Sequence, residues 1–242
     1  MADFSLGLGL EEKQKILEMY KDFRVTDVRD GMDWCGYHHY GTVHHSIRPL
    51  WRTKVMGFAR TGRYLPYEGP VPSVKGDEYL EWVRWYYANV CTDKWAEDVI
   101  PGDFVCLDIC GLDVGLLGSN NSLNHMNNGA VGFLLNGGGI RDTDEVILEK
   151  IPVFSKHISQ PMDQARIRFY EKNIPIAIGG VAIYPEDLVV ADGDGVLVVP
   201  QKLIYDVYKY AYAEMKRDKI GRRQLYITAG LEFDETLEIS EG

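Results

Sequence analysis

The sequence predicts one mixed α/β domain, and three observations carry that prediction. The last third is crowded with short β-forming runs, PVF at 152–154, IPIAI at 174–178, VAIY at 181–184, LVVA at 188–191 and VLVV at 196–199. Helical periods of apolar residues flank them toward both ends of the chain. Between lies Ala130–Leu135, an apolar run continuous enough for a strand buried on both faces, which needs covering layers above and below. A chain of 242 residues, 45% apolar, can bury a full core, and no internal repeat or linker divides it.

Taken in order, Leu10 to Phe23 places Ile16, Leu17, Tyr20 and Phe23 at helical spacing among charges, the pattern of an amphipathic surface helix. GLGLE at 7–11 has no strand before it and lacks a third glycine, so it reads as a flexible lead-in and not a nucleotide loop. Thr26 can cap a second short helix running to Gly36. A loop containing HHYGTVHH leads to a strand over Lys54–Arg60, and the Pro- and Gly-rich YEGPVPSVKGDE breaks the pattern after it. From Glu78 to Val90, residues Tyr79, Leu80, Val83, Tyr86, Tyr87 and Val90 follow the helical period. PGD at 101–103 turns into a strand over Phe104–Ile109, and an SNN turn precedes a helix over about 121–128. ADGDG joins the last two strands as a hairpin turn. Its likeness to an EF-hand start is discounted because Val196–Val199 stand where further oxygen ligands belong. A closing helix runs from Lys202 to about Arg217.

Composition narrows the partners. A net charge of −10 argues against nucleic acid, whose phosphates need clustered Lys and Arg. Without a signal-peptide pattern or an apolar run of roughly 18 residues, no membrane role is expected. Cys35, Cys91, Cys106 and Cys110 sit in apolar or aromatic settings without a CxxC pair and read as reduced core residues of a cytoplasmic protein. His38, His39, His44 and His45 raise the question of zinc, but adjacent side chains usually point apart, and a solvated or substrate-contacting loop is preferred.

The chemistry concentrates at residues 129–145, GAVGFLLNGGGIRDTDE. Asp142 has a bland reading as a helix N-cap with Glu145 as its reciprocal partner, leaving Gly137–Gly139 as conformational slack. That explains neither the arginine before the cap nor three deleted side chains where a small anion could approach the main chain.

GAVGFLLNGGGIRD, the PVF run and IPIAIGGVAIYPEDLVVADGDGVLVVP, with VTDVRDGM and SIRPLWRTKVMGFART upstream, resemble the RraA-like proteins over about residues 25–200. That family includes the 4-hydroxy-4-methyl-2-oxoglutarate/4-carboxy-4-hydroxy-2-oxoadipate aldolases. The resemblance implies a three-layer β/β/α sandwich of the swivelling-domain type, a homotrimer or dimer of trimers, and sites at subunit boundaries. The expected division is then an N-terminal helix at 1–24, the RraA-like domain at 25–220 and a mobile C-terminal tail at 221–242. It also implies two functions: Mg²⁺- or Mn²⁺-dependent cleavage of small 2-oxo acids, or protein-level regulation of a ribonuclease by members without that activity. By resemblance Asp142 carries the metal, Arg141 stabilises developing negative charge, and the backbone of Gly118, Ser119, Asn120, Asn121 and Ser122 holds the substrate carboxylate. The aldolases have an acidic residue twenty-one positions before the arginine; here that position is Asn120, a neutral amide that cannot take a proton. Asn120 and Asn121 are then expected to position water or a substrate hydroxyl, and decarboxylation, which needs no such base, suffers less than aldol cleavage. His125, one turn further on, or an acid such as Glu214 or Asp218 from the final helix of a neighbouring subunit, is the candidate replacement for the base. The Pro-rich loop and the helix EYLEWVRWYYANV exceed the compact family pattern, suggesting a bulkier or more polar oxo acid.

Overall fold

The structure is a computed structural model that describes residues 7–239. Residues 1–6 and 240–242, the ends of the two expected terminal segments, lie outside the described residues. In chain order the elements are α1 (Leu10–Tyr20), α2 (Val25–Trp34), β1 (Arg48–Pro49), β2 (Val55–Pro66), α3 (Asp77–Asn89), β3 (Asp103–Asp108), α4 (Ser119–Asn127) and β4 (Ala130–Asn136). They continue with α5 (Thr143–Leu148), β5 (Val153–Ser155), β6 (Ile167–Lys172), β7 (Ile176–Ile178), β8 (Val181–Ile183), β9 (Leu188–Asp192), β10 (Gly195–Val199) and α6 (Ile204–Ala229).

An eight-stranded mixed sheet runs β1-β5-β4-β3-β2-β9-β10, with β6 paired to β2, and β7–β8 form a separate antiparallel ribbon. Side-chain alternation then builds three layers. Phe104, Cys106, Leu134, Phe154, Val189 and Val198 point to one face and pack on Ile176, Ile178, Val181 and Ile183 of the ribbon. Their neighbours Val105, Leu107, Phe133, Leu135 and Val153 point the other way, onto Tyr86 of α3 and Val146 of α5. On that same side Leu188, Val190, Leu197 and Val199 meet Ile16 and Tyr20 of α1, Val28 and Met32 of α2, and Val207, Ala211 and Met215 of α6. Ribbon, sheet and helices are thus stacked as β/β/α, as the resemblance implies. A fully buried side chain such as Phe133 contributes about 2 kcal/mol to holding them together.

The parallel run β2-β3-β4-β5 positions the site, because each crossover helix returns the chain and leaves a loop at the carboxyl ends of the strands. The Asp192–Gly195 turn is the expected hairpin, with Asp192 Oδ1 accepting from the Asp194 amide at 2.8 Å.

Several boundaries differ from expectation. Thr26 does not cap α2. Arg24 is the N-cap, and its amide donates to Asp27 Oδ2 at 2.9 Å, placing Thr26 inside the first turn. β2 continues past Arg60 to Pro66, where β6 takes over from β9 as its antiparallel partner. β6 itself was not expected. α6 continues well beyond Arg217 through the region expected as a mobile tail. Arg223 donates to the Leu237 carbonyl at 2.7 Å and ties the following segment back onto the helix. All four cysteines are free, but Cys110 is exposed on a left-handed turn after β3 and is no core residue.

Candidate functional site

Three loops are laced together at the carboxyl ends of β3 and β4. The Leu117 amide donates to the Gly139 carbonyl at 2.7 Å, the Arg141 amide donates to the Leu117 carbonyl at 2.9 Å, and the Ser159 amide donates to the Ile140 carbonyl at 3.0 Å. This lacing brings residues 141–142 beside Gly118, the first residue before α4. Asp142 occupies the N-cap position of α5, yet it has φ 55 and ψ 41 and its side chain makes no capping hydrogen bond. The left-handed conformation is one that aspartate tolerates better than most residues. It turns the carboxylate toward Gly118, where a Cβ would sit 2.4 Å from Asp142 Oδ2. The capping explanation of Asp142 therefore fails, and Glu145 accepts from Ser119 Oγ instead.

Arg141 Nε lies 3.3 Å from Asp142 Oδ1, and its remaining donors have no acceptor among the described residues. A cavity of about 480 Å³ opens here, lined by Arg141, Asp142, Gly115, Gly118, Asn120 and Asn121 on one side. Tyr87, Cys91, Asp93, Leu116, Met162 and Asp163 complete the wall. The amides opening α4 have no intrahelical acceptors, and no side chain caps the helix, so its positive end is left for an anion.

The structure brings Gly118, Asn120, Asn121, Arg141 and Asp142 together. Ser119 and Ser122 do not line the cavity; Ser119 joins α4 to α5 through Glu145, and Ser122 is fully buried. Two of the three amides at Gly137–Gly139 are already committed within the protein, since Gly138 donates to the Leu112 carbonyl at 3.2 Å and Gly139 to that of Val114 at 2.7 Å. The triple glycine is a joint between loops, and Gly118 is the glycine whose missing side chain makes room at the carboxylate.

Within one protomer, Glu214 and Asp218 lie away from the cavity, and His125 lies behind its wall, near Asp93. Glu214 accepts from Trp34 Nε1 at 2.9 Å and Asp218 pairs with Arg24 at 2.8 Å, both in a separate groove along α6. His125 is buried against Trp95, ring centroids 4.6 Å apart, with both ring nitrogens unpartnered among the described residues. Burial lowers its pKa. A depressed folded-state pKa contributes stability above the unfolded value near 6.5 and loses it as pH falls below. His125→Phe is accordingly expected to lose less thermal stability than the parent protein between pH 7 and pH 5, checked by calorimetric melts.

His38, His39, His44 and His45 are all exposed and none lines the cavity. The rings of His44 and His45 do not diverge; their centroids are 4.1 Å apart. Among the described residues no three His, Cys, Asp or Glu side chains gather as a group that could hold a metal. No described helix is long and apolar enough to cross a membrane.

Sequence reasoning missed Asp93, Cys91, Met162 and Asp163. Asp93 begins a 3₁₀ turn and Asp163 lies in a loop, so neither carries a periodic signal. Tyr87 was legible only as part of an aromatic helix.

A family profile described as RraA-like, Aldolase/RraA, matches residues 25–198. The chain belongs to the RraA-like family. Among curated relatives, this RraA-like chain is 26% identical over 194 residues to protein DlpA of Legionella pneumophila, covering 79% of this chain and 28% of that protein. It is 28% identical over 138 residues to a candidate 4-hydroxy-4-methyl-2-oxoglutarate aldolase of Halalkalibacterium halodurans, covering 57% of this chain and 65% of the relative. The matches thus span less than two thirds of the length of either relative. Streptomyces coelicolor RraAS2, an unusual member of the RNase ES inhibitor RraA family, superposes with a TM-score of 0.69 at 21% identity over 92% of this chain and 99% of that one, a likeness of fold alone.

Proposed function

We propose that this RraA-like chain is a divalent-metal-dependent lyase acting on a small 2-oxo acid, by retro-aldol cleavage or decarboxylation. The observation that carries the reading is the cradle at Gly118, where the absent side chain leaves space filled by the carboxylate of a left-handed Asp142. The residues suit a hard cation such as Mg²⁺ or Mn²⁺, which accepts one protein carboxylate and keeps waters. Asp142 would hold it, with the amide groups of Asn120 and Asn121 on the same cavity wall. Bound there, the ion supplies a Lewis acid for the carbonyl and carboxylate oxygens of a 2-oxo acid.

The chain's own groups supply the rest. The amides at the start of α4 receive a substrate carboxylate, and the helix dipole favours that charge. Arg141, with donors to spare, faces the negative charge that grows on the substrate oxygen as a carbon–carbon bond breaks. Tyr87, from the enlarged aromatic helix, and Met162 wall the cavity, consistent with a substrate larger than pyruvate. The working form is read as a cytoplasmic homotrimer or dimer of trimers, and the four free thiols suit a reducing compartment.

Metal-stripped protein is expected to release pyruvate from oxaloacetate or a 4-hydroxy-2-oxo diacid only after Mg²⁺ or Mn²⁺ is restored. Asp142→Asn keeps a residue that tolerates the left-handed backbone and removes the charge. Its turnover should fall by roughly 100-fold or more with an unchanged melting temperature. Wild-type protein inert toward both substrates, with and without metal, would favour the non-catalytic regulator instead.

A further inference from the structure

We infer that Asp93 is the general base of this site, occupying in space the role that Asn120 cannot fill. The inference rests on the lyase reading above and concerns how its cleavage branch obtains a proton acceptor.

Three carboxylates line the cavity, and their hydrogen bonds separate them. Asp142 is engaged with Arg141 and assigned to the cation. Asp163 has both oxygens held, Oδ1 by the Tyr87 hydroxyl at 2.7 Å and Oδ2 by Cys91 Sγ at 3.3 Å. Asp93 is different. Its Oδ1 accepts from the Tyr64 hydroxyl at 2.9 Å, while Oδ2 has no donor among the described residues.

The scaffold behind Asp93 is rigid. Tyr64 is fully buried; its hydroxyl accepts from Trp95 Nε1 at 2.8 Å and has the Thr92 carbonyl at 3.1 Å as a second acceptor beside Asp93 Oδ1. Trp95 is also fully buried and packs on the His125 ring. The carboxylate is thus held at one oxygen by a fixed chain of donors and left open at the other, the arrangement that proton abstraction requires. Burial also raises its pKa from the ordinary carboxylate value, against the lowering effect of the Tyr64 hydrogen bond, and the rise strengthens it as a base.

The step balances within the substrate. Asp93 takes the hydroxyl proton of a 4-hydroxy-2-oxo acid, directly or through one water, and the C–O bond becomes a carbonyl. The bond between C3 and C4 breaks, and its electron pair passes into the enolate of the 2-oxo acid fragment. Protonated Asp93 returns the proton to C3, which releases the 2-oxo acid and restores the carboxylate. Decarboxylation of a 2-oxo diacid forms the enolate without the first transfer.

The test compares wild type, Asp93→Asn and Asp163→Asn in cleavage of 4-hydroxy-4-methyl-2-oxoglutarate and in decarboxylation of oxaloacetate, with calorimetric titration of Mg²⁺ and of oxalate as a mimic of the enolate. For Asp93→Asn the ratio of cleavage to decarboxylation should drop by roughly 100-fold, through kcat and not KM. Its Mg²⁺ and oxalate affinities should stay within about three-fold of wild type, because a base, unlike a metal ligand, adds little to binding either. Asp163→Asn should leave the ratio unaltered. An Asp93→Asn protein with the wild-type ratio, or one that loses Mg²⁺ binding, overturns the assignment, while metal-dependent decarboxylation by the wild-type protein still speaks for the lyase. Wild-type protein without either activity removes the lyase reading and the base with it.

Discussion

With Asp142 as the proposed cation holder, replacing Gly118 with alanine should cut lyase turnover roughly 100-fold while leaving the fold standing. Gly118 has φ −112 and ψ 179, a conformation that alanine adopts without strain. The new Cβ would lie 2.4 Å from Asp142 Oδ2, a contact no real methyl group tolerates. What yields is the end of one side chain, so the fold survives and the carboxylate moves. Losing glycine for alanine at a helix N-cap adds a penalty of about 1 kcal/mol or less. Displacing a group that holds the cation by about an ångström costs roughly 100-fold in rate. The expected result is therefore a protein that melts within a few degrees of wild type yet shows weakened Mg²⁺ binding by calorimetry and turnover down by roughly two orders of magnitude. Full activity in Gly118→Ala would mean that Asp142 does no work in the position this structure gives it.

How much of this was legible beforehand depends on the range of the forces involved. β4 was readable because burial on both faces writes a continuous apolar run, and β9–β10 because a glycine-bearing turn interrupts two such runs. Arg141 and Asp142 were readable as neighbours in sequence, but the left-handed backbone of Asp142 was not, since it depends on the lacing of Val114 and Leu117 with Gly139 and Arg141. β6 was hidden because IRFYEK is only partly buried and pairs with the far half of β2, so its charges mask the alternation. The second half of α6 exposes Ile220, Leu225 and Ile227 and shows no core-facing stripe to read. Helix α4 starts at Ser119 and not near 121, because its polar SNNS opening resembles a turn in sequence. Asp93 was the least visible. Its role follows from the Tyr64 and Trp95 side chains, contributed by β2 and by the 3₁₀ turn, and only the packed sheet brings them together.

Gly137→Ala should give the opposite signature to Gly118→Ala. Gly137 has φ +118, a backbone that side-chain-bearing residues rarely adopt, and its Cβ would meet the Gly111 carbonyl carbon and the Leu112 oxygen, each at 2.8 Å. These are main-chain atoms in a loop laced on both sides, so no side chain can swing aside. Strain of about 1–3 kcal/mol from the conformation and a similar amount from overpacking add to a loss of roughly 2–6 kcal/mol. In a domain of this size that lowers the melting temperature by roughly 5–15 °C. At low temperature the remaining folded protein should still bind oxalate and Mg²⁺, because the amides of Gly138 and Gly139 are already spent on the Leu112 and Val114 carbonyls. If instead the variant melted like wild type and lost oxalate, the triple glycine would have to be the anion cradle, and the start of α4 would lose that role.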